Sequence, residues 1–270
     1  EAKQVKQVTR ERSPEDELCK EQDLESYFHF KMMYENKDAV PNLYLSIKDH
    51  NEGATYLFMD KLDDHLNAQY LFDEKISWQR LSSRLIQLIV ILRDQEIIHH
   101  DIKAANIFID KSSRELFFLG DFGMASSRKR VLLSRNENFG GTPSYFTSPK
   151  VTGEDWKEYT LKKDLIGLGL TLLRLLIDKK HQDKTTSEVE YIERIYQKIE
   201  AYQIQQKKKS KDQKTFTLEE IFGPTSGEKN SFTDPYFKFF CELALGSFDS
   251  VKEAQTNLSR INHLCKLDRQ

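Results

Sequence analysis

Residues 98–110 read Ile-His-His-Asp-Ile-Lys-Ala-Ala-Asn-Ile-Phe-Ile-Asp, and residues 111–123 continue Lys-Ser-Ser-Arg-Glu-Leu-Phe-Phe-Leu-Gly-Asp-Phe-Gly. Asp101, Lys103 and Asn106 fall in one short loop, and Asp121 follows one hairpin later. The apolar residues on either side of the polar Lys111–Arg114 predict two paired strands, 106–110 and 115–119. A hairpin is stiff, so it would fix the two acids, Asp101 ahead of it and Asp121 beyond it, on one rigid frame.

Working outward, Ser77–Gln95 predicts a helix, because Leu81, Leu85, Leu88, Ile89 and Leu92 recur at its period. Pro41–Ile47 and Ala54–Asp60 predict paired strands around the turn His50-Asn51-Glu52-Gly53. Residues 1–9 alternate well enough for a further strand. Residues 13–36 predict a helix: Ser13-Pro14-Glu15-Asp16 offers an N-cap, a first-turn proline and acids, and Leu24, Tyr27, Phe28 and Met32 follow at helical spacing. A very apolar helix is expected to open at Asp164 and end near Ile177. Residues 185–206 predict another, with Ser187 and Glu190 as a capping box. Thr217 with Glu220, and Ser250 with Glu253, cap two more, the last carrying Val251, Leu258, Ile261 and Leu264.

Composition narrows the class. The chain has 270 residues, 38% hydrophobic and 31% charged, which suits one large domain or two small lobes under a charged surface. A net charge of −2 gives no reason to expect nucleic acid. The cysteines Cys19, Cys241 and Cys265 have neither zinc nor disulfide spacing. No run of 18 apolar residues predicts a transmembrane helix, and no signal peptide is visible. Lys207–Lys214 reads as a solvated loop, with weak association to a membrane surface or another anionic partner as the alternative.

The pairing of His-His-Asp-x-Lys-x-x-Asn with Asp-Phe-Gly resembles the H-R-D-x-K-x-x-N and D-F-G motifs of the protein kinase-like superfamily. Gly140–Lys150 is similar to the close of a kinase activation segment, and Asp164-Leu-Ile-Gly-Leu-Gly169 to the central helix of the large lobe. The resemblance implies an α+β, bilobal fold. Residues 1–62 would be a reduced N-lobe and hinge without a Gly-rich loop, and residues 63–270 a mostly helical C-lobe. It also implies Mg·ATP-dependent phosphoryl transfer to serine or threonine of a protein substrate. Such chemistry needs a carboxylate that orients the attacking hydroxyl and accepts its proton, and ligands that hold Mg²⁺ against the phosphates. By this resemblance Asp101 is the base, Lys103 touches the transferring phosphate, and Asn106 and Asp121 hold metal. Thr142 would bond Asp101 and Lys103, and Asp164 would bond the catalytic-loop backbone. Lys3 would pair the phosphates, with Lys6 as its rival on the opposite strand face, and Glu25, or Glu21 one turn earlier, would be its partner. Met59, Asp60, Leu62 and Phe108 would line the ATP site.

The sequence departs from the pattern in places. No glycine precedes Gly53, His100 stands where an Arg is usual, Ser148 replaces Ala, and Lys150 replaces the Glu of A-P-E. Without that Arg, little dependence on activation-loop phosphorylation is expected. The missing Gly-rich loop makes the chain similar to the with-no-Gly-loop (WNG) group of secreted apicomplexan kinases and pseudokinases. That likeness implies secretion to a parasitophorous vacuole or cyst wall, against a cytoplasmic alternative. It also keeps open a pseudokinase that serves as a protein-binding scaffold.

Overall fold

The structure, a computed structural model, describes residues 2–6, 24–49, 51, 54–73, 76–112, 117–133, 141–142, 154–178, 194–195, 197–199, 201 and 234–267. The first sheet contains β1 (Ala2–Lys6), β2 (Leu43–Asp49) and β3 (Ala54–Met59), in the antiparallel order β1-β3-β2. Side chains alternate across it as a half-buried sheet requires. Leu57 and Thr55 are buried on one face, while Leu45, Ile47 and Phe58 are exposed on the other. The register sets Lys3 opposite Leu57 and Lys6 opposite Ala54, so the two positions fall on opposite faces.

Helix α1 (Leu24–Glu35) lies between this sheet and the rest of the molecule. It buries Phe28, Met32, His29 and Glu25. Ser26 Oγ meets Ser46 Oγ of β2 at 2.7 Å, and His29 Nε2 donates to the Pro41 carbonyl at 2.7 Å. Lys31 Nζ donates to the Gln95 carbonyl at 2.7 Å. The N-cap expected at Ser13 lies outside the described residues.

After α1 come β4 (Asp64–His65), α2 (Ala68–Asp73) and α3 (Trp78–Asp94). Ser77 caps α3 by accepting the Arg80 amide, and the expected stripe is buried, with Leu81, Leu85, Leu88 and Leu92 each 1% exposed. β5 (Ile97–Ile98) follows, and then the hairpin of β6 (Ile107–Ile109) and β7 (Phe117–Leu119). β6 and β7 pair antiparallel with Ile107 opposite Leu119. β8 (Ser126–Ser127) pairs with β5 and runs into α4 (Arg128–Leu133), two elements that hydropathy did not indicate.

Helix α5 (Glu154–Asp178) is the central helix of the core. It opens ten residues before Asp164, so Asp164 stands inside the helix rather than at its start. Its apolar part is buried on all sides, with Leu170, Leu172 and Leu173 at 0% exposure. Two glycines permit this. A Cβ at Gly169 would lie 2.3 Å from the Ala244 nitrogen of α6 (Asp234–Ala244), and one at Gly167 would lie 2.8 Å from the Ile102 carbonyl. The last helix, α7 (Val251–Leu267), is capped at Ser250, whose Oγ accepts the Glu253 amide at 3.1 Å. Glu253 reaches back to the Asp249 amide at 2.9 Å, one residue earlier than a capping box predicts. The predicted 185–206 helix is described only at positions 194, 195, 197–199 and 201, which are helical. The element capped at Thr217 lies outside the described residues. Among the described residues no helix is long and apolar enough to cross a membrane.

Candidate active site

The loop between β5 and β6 is held from below by α5. Asp164, 6% exposed, accepts the His99 amide on Oδ2 and the His100 amide on Oδ1, both at 2.8 Å. This is the bond to the loop backbone that the kinase resemblance implies. Burial raises the Asp164 pKa against the pull of His99 and the two amides. Gly167, one turn on, lets the Ile102 carbonyl seat against the same helix. His100 adopts a left-handed φ of 67°, and its Nε2 meets Ser126 Oγ of β8 at 2.6 Å.

Asp101, next in the chain, is 6% exposed and accepts hydrogen bonds on both oxygens. Oδ2 accepts Lys103 Nζ at 2.8 Å and Asn106 Nδ2 at 3.0 Å, while Oδ1 accepts the Thr142 amide at 2.7 Å. Lys103 Nζ also donates to Thr142 Oγ1 at 2.6 Å, closing a triangle. Burial works against the Asp101 charge, but the bonds from Lys103 and Thr142 outweigh it and hold the pKa below the ordinary aspartate value. Such a carboxylate is a weak base and a strong acceptor, suited to orienting a hydroxyl.

Asn106 spends its amide nitrogen on Asp101, which leaves its side-chain oxygen as the atom for a cation. Its main-chain carbonyl accepts the Gly120 amide at 3.0 Å, so the hairpin delivers Asp121 beside Asn106. Asp121 takes a left-handed φ of 65°. A point one bond from Gly123 lies 3.4 Å from Glu25 Oε2 and 3.6 Å from Asp121 Oδ1, so α1 brings Glu25 to the same spot. Phe122 locks the turn: it is 0% exposed, 4.8 Å from the His99 ring and 5.6 Å from the His29 ring.

At the other end of the site, Asp60 is tied back to β2. Its amide donates to the Asn42 carbonyl at 3.0 Å, and its carboxylate accepts Tyr44 Oη at 2.5 Å and Asn42 Nδ2 at 2.7 Å. Its N–H is therefore not offered to a ligand. Met59 pairs with Leu43 at the sheet end, Leu62 is half-buried, and the half-buried Phe108 ring lies against Gly120, where a Cβ would meet it at 2.5 Å. The Lys3 side chain, Glu21 and Lys150 lie outside what is described.

Three supporting residues escaped the sequence reading. His29 sits four residues after Glu25, and that helical spacing could have flagged it. Arg84, 6% exposed, clasps the carbonyls of Asp38 and Phe117 and interrupts the apolar stripe of α3. Ser126 carries no local signal, because its partner is distant in sequence. Among the described residues no group of three or more His, Cys, Asp or Glu gathers as a metal site. One carboxylate and one amide oxygen nonetheless suit Mg²⁺, which is completed by phosphate and water.

The protein kinase domain family profile matches residues 2–264. Human mitogen-activated protein kinase kinase kinase 3 is 26% identical over 149 residues, covering 53% of this chain and 23% of that protein. The probable serine/threonine-protein kinase PLK of Dictyostelium discoideum is 26% identical over 179 residues, 66% of this chain and 16% of that protein. The serine/threonine-protein kinase atg1 of the same organism is 34% identical over 87 residues, 32% of this chain and 12% of that protein. The chain thus spans less than a quarter of each of these relatives. Matched along nearly its whole length, the chain belongs to the protein kinase domain family.

Proposed function

We propose that the chain catalyses Mg·ATP-dependent phosphoryl transfer to serine or threonine hydroxyls of protein substrates. The observation that carries this is the Asp101 carboxylate, charged and aimed by Lys103, Asn106 and Thr142. Bound Mg·ATP supplies the phosphoryl group and the cation that neutralises it. Asp101 orients the acceptor hydroxyl and takes its proton, while Lys103 spans the acceptor side to the transferring group. Asn106 and Asp121 hold the cation. Position 3 stands on the Leu57 face of the sheet, which favours Lys3 over Lys6 as the phosphate-pairing lysine, with Glu25 as its partner. The Asp60 carbonyl and the Leu62 main chain face the adenine, with Phe108 as its floor. The lobes divide at residues 1–62 and 63–270. Positioning and charge stabilisation dominate this chemistry, so an assembled loop counts for more than any single strand.

The narrower likeness to the with-no-Gly-loop group gains nothing from these relatives, and secretion would follow only from it.

Single-turnover transfer to a Ser/Thr peptide mixture tests the proposal. Parent protein should transfer phosphate and Asp101→Asn should be slower by about 10²-fold or more. Equal rates would reject it. Mg·ATP should raise the parent's Tm, and Asp121→Ala should lose that rise. A Tm rise without transfer would point to a nucleotide-binding scaffold.

A further inference from the structure

Against Asp164, the residue that holds the Asp101 loop, lies a cavity of about 380 Å³ between α3, α5 and the start of α7. Its size falls in the range of small-molecule sites, about 300–1,000 Å³. Ile89, Ile97, Leu161 and Val251 supply apolar lining.

The charges at its rim are unequal in their partners. Lys162 is neutralised by Glu158 at 2.8 Å and Asp249 at 3.3 Å. Arg93 is paired with Asp94 at 2.6 Å. Asp164 spends both oxygens on loop amides. That leaves Arg128 and Glu96, whose main chains are joined by Arg128 N–H to Glu96 carbonyl at 2.8 Å. Glu96 is exposed, so water satisfies its carboxylate. Arg128 is half-buried at the cavity wall, and its guanidinium makes no hydrogen bond or ion pair among the described residues. A partly desolvated cation beside apolar lining gains most from an anion brought in on an apolar carrier.

We propose that this cavity binds a small amphipathic anion, with its apolar body among Ile89, Ile97, Leu161 and Val251 and its anionic group on Arg128. Asp164 and β5 form one wall, so the ligand touches the anchor of the loop that carries Asp101. Any effect on transfer rests on the phosphotransfer reading; binding does not.

The test uses 8-anilinonaphthalene-1-sulfonate as probe, titrated by fluorescence and calorimetry against the whole chain, with the neutral N-phenyl-1-naphthylamine beside it. The expected result is one site per chain, retained at saturating Mg·ATP, with the neutral compound at least 10-fold weaker. Arg128→Ala should raise Kd at least 10-fold, Glu96→Gln should lower it, and Leu161→Trp should abolish binding by filling the cavity. If Leu161→Trp fails to fold by circular dichroism, Val251→Trp takes its place at the same wall. No saturable binding, displacement by Mg·ATP, or an unchanged Kd in Arg128→Ala would overturn the proposal.

Discussion

Replacing Asp164 by Ala tests how the fold holds its loop. The Asp164 carboxylate accepts two buried amides, those of His99 and His100, at 2.8 Å each. His99 is 0% exposed and His100 2%, so water cannot easily replace the acceptor. A hydrogen bond to a charged group contributes about 1.5–3 kcal/mol, so two give about 3–6 kcal/mol. Against this stands the cost of burying the carboxylate, visible in its raised pKa, which alanine removes. The net loss expected is about 2–4 kcal/mol in a urea titration. Asp164→Asn should fall between Ala and the parent, because its one oxygen can accept only part of what the carboxylate does. The local signature is faster hydrogen exchange at the His99 and His100 amides. The pH sign is also set. A carboxyl whose folded pKa is raised contributes stability that is lost as pH rises from its ordinary value of 3.8 through the raised one. Asp164→Asn should therefore lose least, relative to the parent, above that window. A loss under about 1 kcal/mol, with both amides still protected, would refute the argument.

Other substitutions probe the same frame. Lys103→Met removes a bond that holds Asp101's pKa down, so its carboxyl should titrate at higher pH by carbon-detected NMR. The sign is opposite to that of Asp164: the parent's stability from Asp101 is present above 3.8 and lost as pH falls through the lowered folded value. Gly169→Ala places a methyl 2.3 Å from the Ala244 nitrogen, forcing α5 and α6 apart, and should cost about 1–3 kcal/mol or more by chemical denaturation. Phe122→Ala empties a 0%-exposed ring site between His29 and His99, and should cost about 3–5 kcal/mol; Phe122→Leu should recover much of that.

What could be read from the sequence was whatever is locally periodic or locally short. Helix α3 repeats its apolar positions every turn, and the 98–123 loop and hairpin lie within a few residues of their own partners. The bonds from Thr142 to Asp101 and from Asp164 to the loop span 41 and 65 residues, and only the resemblance to a kinase made them foreseeable. The start of α5 was misplaced for a different reason. Hydropathy marks where a helix becomes buried, and the first turns of α5 include Glu158 and Lys162, where Lys162 pairs with both Glu158 and Asp249 instead of entering the core. β8 shows the same limit: Ser126 and Ser127 read as loop until Ile97 and Ile98 arrive to pair with them. The left-handed backbone at His100 and Asp121 was illegible for a stronger reason, since neither is glycine and such conformers cost about 1–3 kcal/mol. At His100 the compensation is visible, in one bond from its amide to Asp164 and one from its ring to Ser126. Both partners are remote in sequence, so the strain that aims Asp101 is sustained by contacts no local pattern encodes. Removing Ser126's hydroxyl, as in Ser126→Ala, should then relax His100 and displace Asp101 although Ser126 touches neither Asp101 nor Lys103. An unaltered Asp101 chemical shift in that variant would show that Asp164 alone sustains the loop.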